Sequence, residues 1–434
     1  MLTKISKIAH RIIKKLFGDQ FEISGFIAYS NNIQWFAIAK IASLILSFLT
    51  TLIVARLFGP EQFGILSYVT SIVGLFSIFA TFGIGTIIYK ELVLHKNKRE
   101  EIFGSAFALN TITALSTLIV VSVFLFFINE SFYVKSIIFL MSLTFVTQPL
   151  TLLSFDFLKD KEGKYVAIAQ TASLLISSVL KILVTYLYSS VTIFIGILIL
   201  ENIILGGIYT YQIKKIKLRT LSFKIKKAQV YYLFYSSLPM ILYSAFSEIY
   251  SRIDQVMLKS YINIETVGIY AASVRITEIW YLIPNILLGA LFPALANVKE
   301  NTKEYSKRYN ILFALLTGSA FIICFAIFFL KEYIVNIVYG KEFAEAAPIL
   351  GLYIFSIVGF FMSSLLYQDL FLRNNKWSIT LIPFFTAILN VALNIYLIPA
   401  YGAMGAALAT VISYNLVPVV FYTLKLNKSS ILQV

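Results

Sequence analysis

KKIKLRTLSFKIKK, residues 214–227, is the stretch whose reading decides the fold: seven of its fourteen residues are Lys or Arg. It stands between two long apolar runs, one from Val191 to Ile213 and one beginning at Tyr231. Outward from it in both directions the same alternation repeats, an apolar run and then a short polar break. About 20 apolar residues in a helix cross the hydrocarbon core of a bilayer. Lipid offers no partner to an unpaired backbone amide, so such runs must be helical. Twelve runs are counted, beginning near Gln34, Phe63, Glu101, Ser136, Tyr165, Val191, Tyr231, Gly268, Tyr309, Pro348, Ser378 and Gly402.

The cations are sorted by parity. The N-terminal tail, every second break and the C-terminal tail hold 27 of the 36 Lys and Arg, whereas the alternate breaks hold five. The remaining four, Lys40, Lys181, Arg252 and Arg275, lie inside runs. The positive-inside bias then puts both termini in the cytoplasm, with an even number of crossings. The expected fold is an all-α integral membrane protein of about 12 transmembrane helices. The net charge of +15 is topological signal lying against anionic lipid headgroups, and no nucleic-acid partner is needed to explain it. The composition agrees: 59% of residues are hydrophobic and 13% charged, about half the charge of a soluble chain.

The expected organisation is a basic amphipathic cytoplasmic segment (1–33), a six-helix bundle (34–213), a basic cytoplasmic linker (214–230), a second six-helix bundle (231–424) and a cytoplasmic tail (425–434). In the first segment Leu2, Ile5, Ile8, Ile12, Ile13 and Leu16 share one helical face and Lys4, Lys7, Arg11, Lys14 and Lys15 the other. That pattern lies on the inner leaflet and is not a signal peptide. Trp35 and Trp377 open runs on the cytoplasmic side, where an aromatic belt is expected. An internal repeat relates Glu61-Gln-Phe-Gly64-Ile-Leu-Ser67 to Glu265-Thr-Val-Gly268-Ile-Tyr-Ala271. Each opens a run, six helices apart, which predicts a pseudo-two-fold axis along the membrane normal. Pro149, Pro239, Pro284, Pro293 and Pro383 fall inside runs, where each removes a helical hydrogen bond and permits a kink.

Enzyme signatures are absent. There is no P-loop, H-E-x-x-H, G-x-S-x-G or cysteine pair, and the single Cys324 lies within a run. His10 and His95 lie in cytoplasmic segments and suit no metal site. No cofactor is implied. What remains is ionisable residues at membrane depth, each costing at least about 2.5 kcal/mol near a helix centre unless it faces a cavity or a partner. Glu248 and Arg252 are four apart on one helix, and Arg275 and Glu278 three apart on the next. These pairs either neutralise themselves or line a cavity; the spacing allows both. Asp254 points elsewhere from Arg252 and suits either a site or the lipid–water boundary. Lys40 has small and polar helix neighbours (Ser43, Ser47), Lys181 is expected to snorkel, and mid-run Glu201 is a candidate for ion coupling. Asp156 is expected at the interface.

Several stretches resemble the polysaccharide-transport family of the multidrug/oligosaccharidyl-lipid/polysaccharide flippase superfamily, and within it the Wzx-type O-antigen flippases. They are Val54-Ala-Arg-Leu-Phe-Gly-Pro-Glu-Gln-Phe-Gly64 with Phe82-Gly-Ile-Gly85; Ile253-Asp-Gln-Val-Met257 through Gly268-Ile-Tyr-Ala-Ala272 to Leu291-Phe-Pro-Ala-Leu295; Tyr339-Gly-Lys-Glu-Phe-Ala-Glu-Ala346; and Asn394-Ile-Tyr-Leu-Ile-Pro-Ala-Tyr-Gly402 through Gly405-Ala-Ala-Leu-Ala-Thr410. The resemblance implies a bacterial inner-membrane protein of two six-helix bundles. It would carry an undecaprenyl-diphosphate-linked oligosaccharide from the inner to the outer leaflet by alternating access, alongside glycosyltransferases and a glycan polymerase. On that reading Arg252, Arg275 and Lys40 are the candidate diphosphate-binding residues. Glu248, Glu278, Glu201 and Asp254 are candidates for coupling to H+ or Na+. Two rivals stand beside it: a drug or small-solute exporter, disfavoured by two buried arginines, and a membrane-embedded glycan polymerase or ligase, disfavoured by short outer breaks.

Overall fold

The computed structural model describes residues 30–216, 223–373 and 376–431. Among these there is no strand. The helices are α1 (Ser30–Thr81), α2 (Ile84–Leu94), α3 (Arg99–Phe127), α4 (Phe132–Leu158, in short pieces), α5 (Gly163–Tyr188), α6 (Val191–Ile216), α7 (Lys227–Tyr261), α8 (Ile264–Glu278), α9 (Leu282–Ala296), α10 (Thr302–Val338), α11 (Ala346–Leu372) and α12 (Lys376–Ile431). Eight helices among the described residues are long and apolar enough to cross a membrane. The chain is a multi-pass membrane protein. The amphipathic segment expected at residues 1–20, with His10, lies outside the described residues. So do residues 217–222 of the basic break and the side chains of Trp35, Lys40 and Trp377.

α1 has 52 residues and α12 has 56. Straight, each would run to about 80 Å at 1.5 Å per residue, more than twice the thickness of the hydrocarbon core. Each instead bends at one glycine, Gly59 (φ 73°) in α1 and Gly402 (φ 56°) in α12. The sequence suggests loops at both places. A single residue suffices because glycine alone enters the left-handed region without strain. The prolines act as expected at two sites. A 3-10 turn over Gln148–Leu153 surrounds Pro149 within α4. Another, Ile279–Tyr281, separates α8 from α9 just ahead of Pro284, which has no N–H to donate to residue 280.

α1 packs against α3 and α5 in the first half of the chain and against α7 and α8 in the second, while α12 packs against α7 and α11. The α1–α8 crossing is the tightest approach between the halves. A Cβ on Gly64 would come 3.0 Å from the Gly268 amide nitrogen and overlap the Ile264 carbonyl oxygen. A Cβ on Gly268 would come 2.9 Å from the Gly64 amide nitrogen and overlap the Pro60 carbonyl oxygen. The two glycines of the internal repeat are therefore each other's contact. Pro60 and Ile264 also correspond in the repeat, so the contact is reciprocal, as a two-fold axis requires.

Polar ties lie beside this crossing and at the opposite end of the helices. Near one end Glu130 accepts from Lys259 and, at 2.8 Å, from the Tyr68 hydroxyl, while Arg56 donates to the Ile337 carbonyl at 3.2 Å. Near the other, Lys224 and Lys226 pair with Glu100 (2.8 Å) and Glu101 (2.6 Å) at the start of α3. The Glu100 carboxylate raises the Lys224 ammonium above its ordinary pKa.

Candidate functional site

Six of the residues flagged in the sequence form three acid–base pairs. Arg275 and Glu278 sit on the last turn of α8, and the Arg275 Nη1 donates to Glu278 Oε2 at 2.8 Å. The pair is not dry: the two side chains keep 31% and 29% of their surface open. Both line a cavity of about 320 Å³ between α1 and α8–α9, opposite Leu44, Ser47, Phe48 and Thr51. Arg275 also lines a second cavity, about 220 Å³, enclosed mainly by α1, α5 and α6.

That second cavity holds a cation the sequence reading placed elsewhere. Lys181 was expected to snorkel out of α5. Instead its side chain is 8% exposed, lines the cavity and donates to Glu201 of α6 at 2.5 Å. Lysine reaches inward here because an acid partner is on the neighbouring helix, which sequence spacing within one helix does not reveal. Glu201 is thereby a paired carboxylate beside the cavity. Lys181 and Arg275 give the cavity two cationic walls, among Ser47, Thr50, Thr51, Ser67, Thr70 and Ser178.

Glu248 and Arg252 on α7 are also paired, at 3.3 Å, and pack over Gly74 of α1. A Cβ on Gly74 would come 3.5 Å from Arg252 Nε. This pair lines none of the three cavities described here, although Glu278 acts on Arg252 electrostatically. Asp254 lies apart. It is 1% exposed, accepts from the Tyr270 hydroxyl and takes the Gln255 amide at 2.7 Å. Gln255 in turn accepts from Ser71 of α1 at 3.0 Å. Asp254 therefore anchors α7, α8 and α1 to one another. Asp156 is likewise buried, gripped by both prongs of Arg99 at 2.7 Å. The side chain of Lys40 lies outside the described residues.

A third cavity, about 250 Å³, was not anticipated. It lies between α7, α9, α11 and α12 and is lined by Tyr243, Tyr250, Tyr367 and Tyr414, with Phe360, Leu288, Asn285, Ser363, Ser364, Gln368 and Thr386. None of these is charged. One signal was available: Tyr243 and Tyr250 are seven apart, and Ser363, Ser364, Tyr367 and Gln368 recur at helical spacing, so each set faces one way. Asn285 lines both this cavity and the α1–α8 cavity, as Arg275 lines both of the others. Tyr281, in the wall of the middle cavity, stacks on Phe360 of the third with ring centroids 3.8 Å apart. The three hollows thus follow one another along shared walls, cationic at one end and neutral at the other.

An arrangement of this kind can hold an elongated molecule bearing an anionic group and an uncharged polar part. Several known proteins are similar to this chain. The capsular polysaccharide biosynthesis protein CapF of Staphylococcus aureus is 23% identical over 404 residues, covering 90% of this chain and 98% of that protein. Among solved structures, the lipid II flippase MurJ in an inward closed conformation superposes with a TM-score of 0.73 at 17% identity, over 90% of this chain and 87% of that one. An inward-facing multidrug resistance MATE family transporter of the MOP superfamily superposes at 0.71 with 13% identity, over 90% and 95%. At these identities the structural likeness speaks for the fold alone, that of the MOP transporters. The sequence speaks for more, because the polysaccharide biosynthesis protein family matches over residues 30–299; to that family this chain belongs.

Proposed function

We propose that the chain is a flippase that carries an undecaprenyl-diphosphate-linked oligosaccharide from the inner to the outer leaflet of a bacterial cytoplasmic membrane. One observation carries the reading: Arg275 stands at the junction of two cavities, with Lys181 across one of them, and its guanidinium remains open beside its acid partner. A diphosphate cannot cross hydrocarbon unaided. Two cations in a confined hollow hold it by charge-assisted hydrogen bonds, and the fork of arginine matches paired phosphate oxygens. Family membership and the names of the similar proteins, CapF and MurJ, support the same substrate class.

In this reading residues 34–213 and 231–424 move against one another, with the Gly64–Gly268 crossing and the Glu130–Lys259 tie together closing the outer end. Glu278 and Glu201, each paired with one of the phosphate-binding cations, exchange a proton or Na+ when phosphate displaces them. A charge crossing the membrane gains about 2.3 kcal/mol per 100 mV, enough to bias the cycle. Glycosyltransferases on the cytoplasmic side make the substrate, and a glycan polymerase on the far side consumes it. Glu248–Arg252 is a reserve pair, and Lys40 remains a candidate at the entrance.

The test is Arg275→Ala beside Arg275→Lys, assayed for surface glycan at matched protein level. Loss with alanine and partial recovery with lysine is expected; full activity in both removes Arg275 from the site. The sidedness of accumulated substrate separates the rivals. Lipid-linked units trapped on the cytoplasmic face of a deletion strain fit a flippase, whereas units trapped on the outer face fit a polymerase or ligase.

A further inference from the structure

The neutral cavity between α7, α9, α11 and α12 has a chemistry of its own. Its walls carry tyrosine rings, a glutamine, an asparagine and serines, with no formal charge. A charged ligand finds no counter-charge there, and burying an unpaired ion is costly. The carboxylate next in sequence to Gln368, Asp369, takes the Tyr305 hydroxyl and Arg373 Nε (3.1 Å) instead. A wholly apolar ligand fits no better. Gln368, Ser363 and the Tyr367 and Tyr414 hydroxyls have no hydrogen-bond partner among the described residues. Such a ligand would strip water from them and give nothing back, which costs more than a bond never made.

A pyranose ring meets both demands. Its C–H face lies on an aromatic ring and its hydroxyls reach amides and hydroxyls at the rim. Tyrosine supplies both kinds of surface in one side chain, and glutamine and serine each donate and accept.

Resting on the flippase reading above, we propose that this cavity is the sugar-reading subsite, holding one or more uncharged sugar rings while Arg275 and Lys181 hold the diphosphate. The two stations share a scaffold. Arg275 and Asn285 are ten residues apart, on either side of the 3-10 turn between α8 and α9, and both line the middle cavity. Asn285 forms a common wall between the middle and neutral cavities. The cationic station is indifferent to which sugar follows. The neutral station sets the preference.

The experiment compares two lipids in proteoliposomes of purified protein: the lipid-linked oligosaccharide extracted from a strain lacking this chain, and undecaprenyl diphosphate bearing no sugar. Translocation is read as protection from a pyrophosphatase confined to one side. Wild type is expected to move the sugar-bearing lipid at least about tenfold faster. Gln368→Ala, Ser363→Ala and Tyr367→Phe are each expected to lower that ratio about fivefold, the loss of one hydrogen bond. Tyr367→Phe removes a single oxygen and keeps the test open should Gln368→Ala fail to fold. A ratio unchanged in all three variants, or equal wild-type rates on both lipids, overturns the sugar subsite and leaves the flippase reading standing. Wild type that moves neither lipid overturns both.

Discussion

Gly64 and Gly268 each occupy the place where the other's side chain would have to be. Their amide nitrogens lie about 3 Å from each other's absent Cβ, so α1 and α8 cross with backbone against backbone. Either glycine replaced by alanine must push the helices apart. Gly64→Ala and Gly268→Ala are each expected to destabilise by about 1–3 kcal/mol, the usual cost of overpacking. Thermal unfolding of the detergent-purified protein measures it. Gly289→Ala, with nothing within 4 Å of the new methyl, should leave the midpoint in place.

Arg99 and Asp156 form a buried two-pronged pair, with Asp156 fully enclosed. Removing Arg99 takes away both of its short bonds and leaves the buried Asp156 carboxylate with the longer contact to Lys159, at 3.4 Å. Arg99→Met is expected to cost about 3–5 kcal/mol, and Arg99→Met with Asp156→Leu to recover much of it. A double-mutant cycle on unfolding midpoints gives the coupling; additive losses would show that the two side chains act independently.

Lys181 and Glu201 predict separable defects. Lys181→Ala should weaken lipid binding about tenfold, as expected for a lost charge-assisted bond. Glu201→Gln should still bind, but its transport should no longer respond to an imposed pH gradient. Proteoliposomes assayed with and without the gradient decide this. A response identical to wild type in Glu201→Gln removes the carboxylate from coupling.

Glu130 and Lys259 tie α7 to the end of α3, with Tyr68 donating to the same carboxylate. Single charge reversals, Glu130→Lys or Lys259→Glu, should open this end, and the double exchange should close it again. Accessibility of an engineered cysteine at Ser71 to an impermeant maleimide reports the opening. The native Cys324 is buried and bonded to the Ile354 carbonyl, so it adds little background.

Much of the fold was written in local patterns. Helix runs and the Glu248–Arg252 and Arg275–Glu278 pairs follow from residues a few positions apart, and local spacing is what a sequence displays; at Gly59 and Gly402 the same spacing suggests loops, where the chain makes single-residue bends instead. Lys181–Glu201 and Arg99–Asp156 join different helices, and nothing near Lys181 announces an acid twenty residues on. Asp254 was flagged for its charge, yet Tyr270 and the Gln255 amide turn it into a brace. The tyrosine cavity went unseen for another reason. In an apolar run a tyrosine reads as bulk, and only helix packing distinguishes one facing lipid from one facing a hollow.

The eight apolar helices leave out α7 and the α8–α9 stretch, which carry Glu248, Arg252, Asp254, Arg275 and Glu278. Each charge makes entry into lipid dearer by about 2.5–3.5 kcal/mol. These segments are poor candidates for independent insertion during synthesis. They become comfortable only when α1, against which α7 and α8 pack, is already there to receive them. Biogenesis is therefore ordered: the earlier helices act as a waiting berth, and severing the polypeptide at residues 217–222 would strand the later portion at the insertion machinery unless its missing companion were supplied at the same time.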